Sequence, residues 1–358
     1  MAAVLEAALK AQAKQCSRWG SVLYGGLLDR IAAEVAAGMG GVCTRTLRPF
    51  ANDPPQSQIA LRFLAAVNRL ALDGRAEDLA QCYRGDILNL DETWARFTQV
   101  VNNHQKELSD LIKRPLRIND PGRAAALLPG FLEAARQTGF PLRIMEAGAG
   151  AGMNLRWDHY FYEAQDVAWG KQGSSVLLRG VYRRNHPSLE GEAHVIERSG
   201  CDEHPLFVSS EEDRLTLLSA VWPDQTAQVQ RMTGAIELAR RVPVLIDTAR
   251  AEEWIEQQLK TPATNRTTVV FHTLLLGNLS PKAVARLQFV MEEAGKRATA
   301  NTPLAWLRME AGGAEAEVRL RIWPGGKDRV IAFAGFHGQW IEAPGSMAGG
   351  ASASVRLS

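Results

Sequence analysis

From the N-terminus to about residue 139, apolar positions recur every three or four residues, the spacing of one helix face. "SQIALRFLAAVNRLALDG" puts Ile59, Phe63, Ala66, Val67 and Leu70 on one side, and Gly74 is a helix stop. "DETWARFTQVVNNHQKELSDLIK" repeats the pattern with Trp94, Phe97, Val100, Val101, Leu108 and Leu111. "PGRAAALLPGFLEAARQTG" opens at Pro121 and ends at Gly139, with Pro129 as the place for a kink. Little in this region alternates as a strand would.

After Phe140 the period changes. Seven β-rich runs follow: "PLRIMEAG", "AHVIERSGCD", "VPVLIDTA", "TTVVFHTLLL", "PLAWLRMEAG", "AEVRLRIWPG" and "RVIAFAGFHGQWI". Helical patterns separate several of them, and strand alternating with helix predicts a parallel sheet covered on both faces. Only "PGGKD" joins the last two strands. A parallel crossover needs a dozen or more residues, so these two must form a hairpin. The expected class is therefore α/β: an all-helical region over 1–139, a sheet domain over 140–343 whose last strand is antiparallel, and a small, polar, flexible tail over 344–358. About forty residues after Asp158 exceed what one crossover needs, and they have room for a small hairpin.

Composition changes this picture little. The chain has 46% hydrophobic and 22% charged residues and a net charge of +2, which suits a globular protein and points to no polyanion partner. Cys16, Cys43, Cys82 and Cys201 are far apart and form no metal-ligand spacing, so they are expected as buried thiols with no metal. No run has the length of a membrane span or the build of a signal peptide, so the expectation is a cytoplasmic protein without membrane or nucleic-acid partners.

The chemistry concentrates in "LRIMEAGAGAGMNLRWD", residues 142–158. In an open parallel sheet, ligands bind beyond the carboxyl ends of strands. Gly148, Gly150 and Gly152 directly follow the first strand, where they permit a tight turn and a close approach of backbone to ligand. A helix starting after them would offer N–H groups to an anionic ligand group. A dinucleotide loop, G-x-G-x-x-G/A, fails because position 153 is Met153, which disfavours a nicotinamide- or flavin-dependent oxidoreductase.

What is present is E-x-G-x-G-x-G from Glu146 to Gly152, which resembles the first motif of the class I S-adenosylmethionine-dependent methyltransferases. The order of later motifs is similar to theirs. The resemblance implies a Rossmann-like seven-stranded sheet and a cofactor site of Glu146, Gly148, Gly150, Gly152 and Asn154. It further implies Asp202 of "GCDEHP" on the ribose, Asp247 and Thr248 of "VLIDTA" near the adenine, and His272 of "VVFHT" near the transferred methyl. Each has a plainer reading: Glu146 as a helix cap, Asp202 and Asp247 as N-caps, His272 as a satisfied core residue. The implied function is methyl transfer from S-adenosylmethionine, with S-adenosylhomocysteine as product, to an unidentified acceptor, a small molecule being favoured, beneath a helical cap. A non-catalytic nucleoside-binding or regulatory protein that keeps the fold is the alternative, because fold does not establish function.

Together, "EAGAGAGMNL", "GCDEHP", "WPDQ" and "FHG" also resemble a bacterial family of unknown function that pairs helices with a methyltransferase-like domain. That family usually has Ser where this chain has Gly150, and Thr-Asn-Glu where it has Ile118, Asn119 and Asp120. His337 reads as structural. "RINDPGR" reads either as a polar lid with Arg117, Asn119 and Arg123, or as a helix start capped by Asp120.

Overall fold

A computed structural model of the protein describes residues 2–38, 40–54, 57–85, 89–165 and 167–345. The expected tail lies outside the described residues from position 346 on. The chain opens with α1 (Ala2–Arg18), α2 (Val22–Ala36), α3 (Val42–Leu47), α4 (Ile59–Leu72), α5 (Glu77–Arg84), α6 (Leu90–Asn103) and α7 (Gln105–Ile112). Then α8 (Ala124–Thr138) leads into β1 (Leu142–Ala147), and the short strands β2 (Phe161–Glu163), β3 (Ala168–Gly170) and β4 (Leu177–Arg179) follow. Next come β5 (Val195–Asp202), α9 (Glu211–Ser219), α10 (Thr226–Arg241), β6 (Leu245–Thr248), α11 (Ala251–Gln258), β7 (Thr267–Thr273) and α12 (Pro281–Arg297). The last strands are β8 (Leu304–Ala311), β9 (Ala316–Trp323), β10 (Arg329–Ala334) and β11 (Ile341–Glu342).

The helical stretch forms as its periodicity requires. Ile59, Phe63, Ala66, Val67 and Leu70 of α4 are all buried, as are Phe97, Val100, Val101 and Leu108 further on. One departure is a break at His104, whose φ of −121° separates α6 from α7. Pro129 sits inside α8 without ending it. The four cysteines are buried and unpaired with one another. Among the described residues no helix is long and apolar enough to cross a membrane.

The compact units divide the chain elsewhere than at residue 139. Residues 2–119 associate with 206–240, whereas 120–205 associate with the described residues from 241 on. Local contacts explain why α9 joins the first unit. Asp224 of "WPDQ" accepts hydrogen bonds from Ser21 Oγ (2.7 Å) and the Leu23 N–H (3.0 Å). Trp222 stacks with Trp19 at 6.1 Å, and Asn68 donates to the carbonyls of Ser219 and Val221. Arg69 pairs with Glu212 at 2.5 Å. This motif therefore binds one part of the helical unit to another.

The second unit is built on an eight-stranded sheet in the order β11-β10-β9-β8-β7-β1-β5-β6. From β6 to β8 the neighbours are parallel, and from β8 to β11 each is antiparallel to the last. The seven-stranded expectation is corrected in two respects. The run 329–341 is not one strand, because a turn from Gly335 to Trp340 splits it into β10 and β11. The "PGGKD" hairpin is present, but an equally short link, residues 312–315, makes β8 and β9 a hairpin as well. The antiparallel part is thus a meander rather than one terminal strand. The insertion holds a separate three-stranded sheet, β3-β2-β4.

Faces follow the two-residue period of strands. Met145, Ala147, Val270 and Trp306 enter one core with Trp254 and Ile255 of α11 and Leu287 and Met291 of α12. Glu146 and Phe271 therefore point to the other face, where Phe131 of α8 meets Phe271 edge-on at 5.1 Å.

Candidate functional site: the glycine loop and the buried carboxyl beneath it

Strand order reverses around β1. The chain passes from β1 to β5 and β6 on one side, then returns to place β7 on the other. The switch point between β1 and β7 is where open sheets of this kind hold ligands. The glycine loop leaves β1 there. Gly148, Gly150 and Gly152 have φ of +71°, +58° and +67°, the left-handed region that side chains rarely adopt. A Cβ on Gly148 would lie 2.8 Å from Leu275 Cδ1, and one on Gly152 would lie 2.9 Å from Val244 Cγ2. All three backbones favour glycine, and at Gly148 and Gly152 a Cβ would also crowd a neighbouring side chain.

The α-helix expected after the loop does not form. Residues 154–159 make two short 3-10 turns with a kink at Arg156, so no helix N-terminus faces a ligand. Side chains fix this segment instead. Arg156 donates from Nη1 to the Ala151 and Gly152 carbonyls (3.0 and 2.7 Å) and from Nε to Val242 (2.7 Å). Tyr160 donates to the Met153 carbonyl (2.6 Å) and Tyr162 to that of Trp157 (2.8 Å). Arg198 grips Asp158 through two bonds, 2.7 and 2.9 Å. Trp157 stacks flat on Phe131 with centroids 4.4 Å apart. Five carbonyl or carboxylate groups within eight residues are held by named donors, which is the build of a rigid cradle.

Beneath this cradle two buried polar side chains face each other. Glu146 is 1% exposed and Asn154 is fully buried; the Asn154 amide lies against the Glu146 carboxyl, and among the described residues no other group bonds to either side chain. Most buried polar groups find partners, because leaving one unsatisfied costs about 1–3 kcal/mol. Burial pushes the Glu146 carboxyl well above the usual carboxylate range. Asn154, Arg123 and Arg156 pull it back toward ionisation, and Asp202 adds to the rise.

Arg123 is a second buried cation near Glu146, in addition to Arg156. Its Nε donates to the Phe336 carbonyl (3.0 Å) and Nη1 to Thr273 Oγ1 at the end of β7 (3.2 Å). Burial lowers its pKa, while Asp120, Glu146 and Glu310 oppose that change. The turn that carries Arg123 is closed by Asp120, which accepts from the Gly122 N–H (2.8 Å) and lies 3.0 Å from His337 Nδ1. A Cβ on Gly338 would meet the Gly122 carbonyl at 2.1 Å, so "FHG" and "NDPGR" touch backbone to backbone. Asp120 is both the helix cap expected and the partner of His337. Nothing in sequence spacing joins positions 120 and 337.

The sequence-chosen residues do not all meet. Glu146, Gly148, Gly150, Gly152, Asn154 and Asp202 gather at the end of β1. Asp202 accepts from the Gly150 N–H and the His204 N–H, both at 2.9 Å, so it secures the loop itself. Asp247, on the edge strand β6, accepts from Trp254 Nε1 (2.7 Å), and Thr248 is exposed. His272 lies apart. Two residues on from Val270, it faces the α11–α12 core and is fully buried. Trp306 Nε1 donates to its Nε2 (3.2 Å), which places the proton on Nδ1, 2.6 Å from Glu310 Oε1. Glu310 also accepts from the Leu275 and Leu276 N–H groups. The plain reading, a satisfied core histidine, describes His272 better than a base beside a methyl group.

Residues 6–343 match a family described as an uncharacterized protein conserved in bacteria (DUF2332). The chain belongs to this family. No curated protein and no solved structure matches it. The match covers both compact units, the glycine loop and the "WPDQ" segment included.

Proposed function

We propose that this family member is an S-adenosylmethionine-dependent methyltransferase acting on a small-molecule acceptor, with the cofactor over residues 148–152. The observation that carries the reading is the buried pair Glu146 and Asn154, with no partner beyond each other, under a glycine loop at the switch point. A polar ligand group would satisfy both, and the glycines would let the ligand's backbone-facing edge approach. Asp202 would act mainly by holding the loop, and Arg156 and Tyr160 by keeping its carbonyls in place. S-adenosylmethionine supplies an electrophilic methyl group, so alignment of the acceptor is the protein's main task.

The pairing of both His272 ring nitrogens favours a second reading, a nucleoside-binding protein without turnover. Calorimetry with S-adenosylhomocysteine tests the cofactor assignment. A dissociation constant in the micromolar range, worth about −8 kcal/mol, is expected. Absence of heat at millimolar ligand would refute it. Methyl release from S-adenosylmethionine in the presence of candidate acceptors separates the two readings.

A further inference from the structure

The helical unit carries a cavity that the glycine loop does not explain. It encloses about 50 Å³ between α4, the segment after α7 and α9, all within the unit formed by residues 2–119 and 206–240. Its α4 wall follows from spacing: Arg62, Ala65, Ala66 and Arg69 fall at i, i+3, i+4 and i+7, one face of the helix. The two alanines leave room that larger side chains would fill, and the two arginines flank them. Arg114 and Arg117 line the cavity from the segment after α7, and Thr216 from α9. No carboxylate is among the lining residues, and Leu111, Pro115 and Leu116 make much of the remaining wall apolar.

The arginines are unevenly answered. Arg62 gives Nη1 to Asp53 (2.9 Å), and Nε (2.7 Å) and Nη2 to the Ile112 carbonyl at the end of α7. Arg69 and Arg114 share one carboxylate, that of Glu212: Arg69 Nη2 meets Oε2 at 2.5 Å, and Arg114 Nη1 meets Oε1. The Arg62 bonds, and that of Arg69 to Thr216 Oγ1 (3.2 Å), have a plain structural use in tying α4 to α7 and α9. The Arg114–Glu212 pair adds little of that kind. Both side chains are mostly exposed, 59% and 55%, and exposed ion pairs contribute little to a fold. Glu212 is thus an exchangeable carboxylate held on two guanidiniums of a cationic, partly apolar cavity.

We infer that the cavity binds the carboxylate end of a short aliphatic acid. The incoming carboxylate replaces that of Glu212 on Arg69 and Arg114, and its carbon chain lies over Ala65 and Ala66. Guanidinium forks match carboxylate and phosphate alike, and the fork here already holds a carboxylate. The apolar wall decides between the two, because it suits methylene groups and leaves the outer oxygens of a phosphate without donors. A volume of about 50 Å³ takes roughly four water-sized groups, the size of a carboxylate with one or two carbons. The site is independent of the glycine loop and of the cofactor reading.

Saturation-transfer NMR on the full chain, at constant ionic strength and with propionate as the probe, tests the site. Propionate should bind with a dissociation constant on the order of a few millimolar. Its neutral isostere propanamide should bind at least about tenfold more weakly, and inorganic phosphate more weakly than propionate. Glu212→Gln removes the competing charge and should tighten propionate about fivefold. Ala65→Leu fills the cavity without touching a charge, and should weaken propionate at least about tenfold. Ala65 is only half-buried, so the variant should fold, which melting checks. If it does not fold, Arg114→Gln at an exposed position carries the test and should weaken propionate about fivefold. No binding at high-millimolar propionate, or equal binding by wild type and these variants, would overturn the site. Propanamide or phosphate binding as tightly as propionate would overturn the assignment to a carboxylate.

Discussion

Asp202 closes the glycine loop from the neighbouring strand: its Oδ2 accepts the Gly150 N–H at 2.9 Å while Oδ1 accepts the His204 N–H at the same distance. The carboxylate that the methyltransferase resemblance puts on a ribose is thus already bonded to the loop beneath. Hydrogen bonds to charged groups are worth about 1.5–3 kcal/mol each. Asp202→Ala removes both, so we expect a stability loss of roughly 3–6 kcal/mol together with weaker nucleoside binding. Denaturant unfolding and calorimetry check the pair. Unchanged stability with lost affinity would show that Asp202 serves the ligand alone.

His272 gives the opposite expectation. It is fully buried between the Trp306 indole and Glu310, and its removal strands a buried indole N–H. His272→Ala should cost roughly 2–4 kcal/mol of stability while leaving affinity for S-adenosylhomocysteine within about twofold. A fall in melting temperature of several degrees is the matching thermal readout. Normal melting with abolished methyl transfer would restore His272 as a base.

The buried carboxyl makes stability depend on pH. Glu146 has a folded pKa raised above its unfolded value of about 4.5. Between those two values the native state holds a proton that the unfolded chain has lost, so stability falls as pH rises through that interval. Below the unfolded value the penalty is absent. Glu146→Gln keeps the shape without the titration. Its melting temperature should therefore exceed wild type increasingly as pH rises from 4.5 toward neutrality. A constant difference at all pH values would mean that Glu146 is ionised throughout.

The parts of this architecture legible in the sequence are those set by short-range order. The period change at Phe140 located β1, and three alternating glycines behind a strand located the loop. The β8–β9 hairpin had the same signal as "PGGKD", a link too short for a parallel crossover, in residues 312–315. Other features depend on distance in space. Residues 206–240 interrupt the strand–helix alternation as ordinary crossover helices would, and contacts such as Trp222 with Trp19, Asp224 with Ser21 and Glu212 with Arg69 join them to the N-terminal helices. Arg123 stands in a helix-opening "PGR", and its bonds to Thr273 and Phe336 span 150 and 213 positions. Strand parity settles His272: counted from Val270 it falls on the α12 face, opposite Glu146, although both residues end neighbouring strands.

The central claim is that a nucleoside cofactor lies over residues 148–152, at the end of β1. A crystal structure of the chain grown with S-adenosylhomocysteine tests it most directly. The account predicts the ligand against residues 148–152, with the three glycines keeping positive φ beneath it. Nucleoside density away from this loop, or a loop without ligand at millimolar concentration, would contradict it.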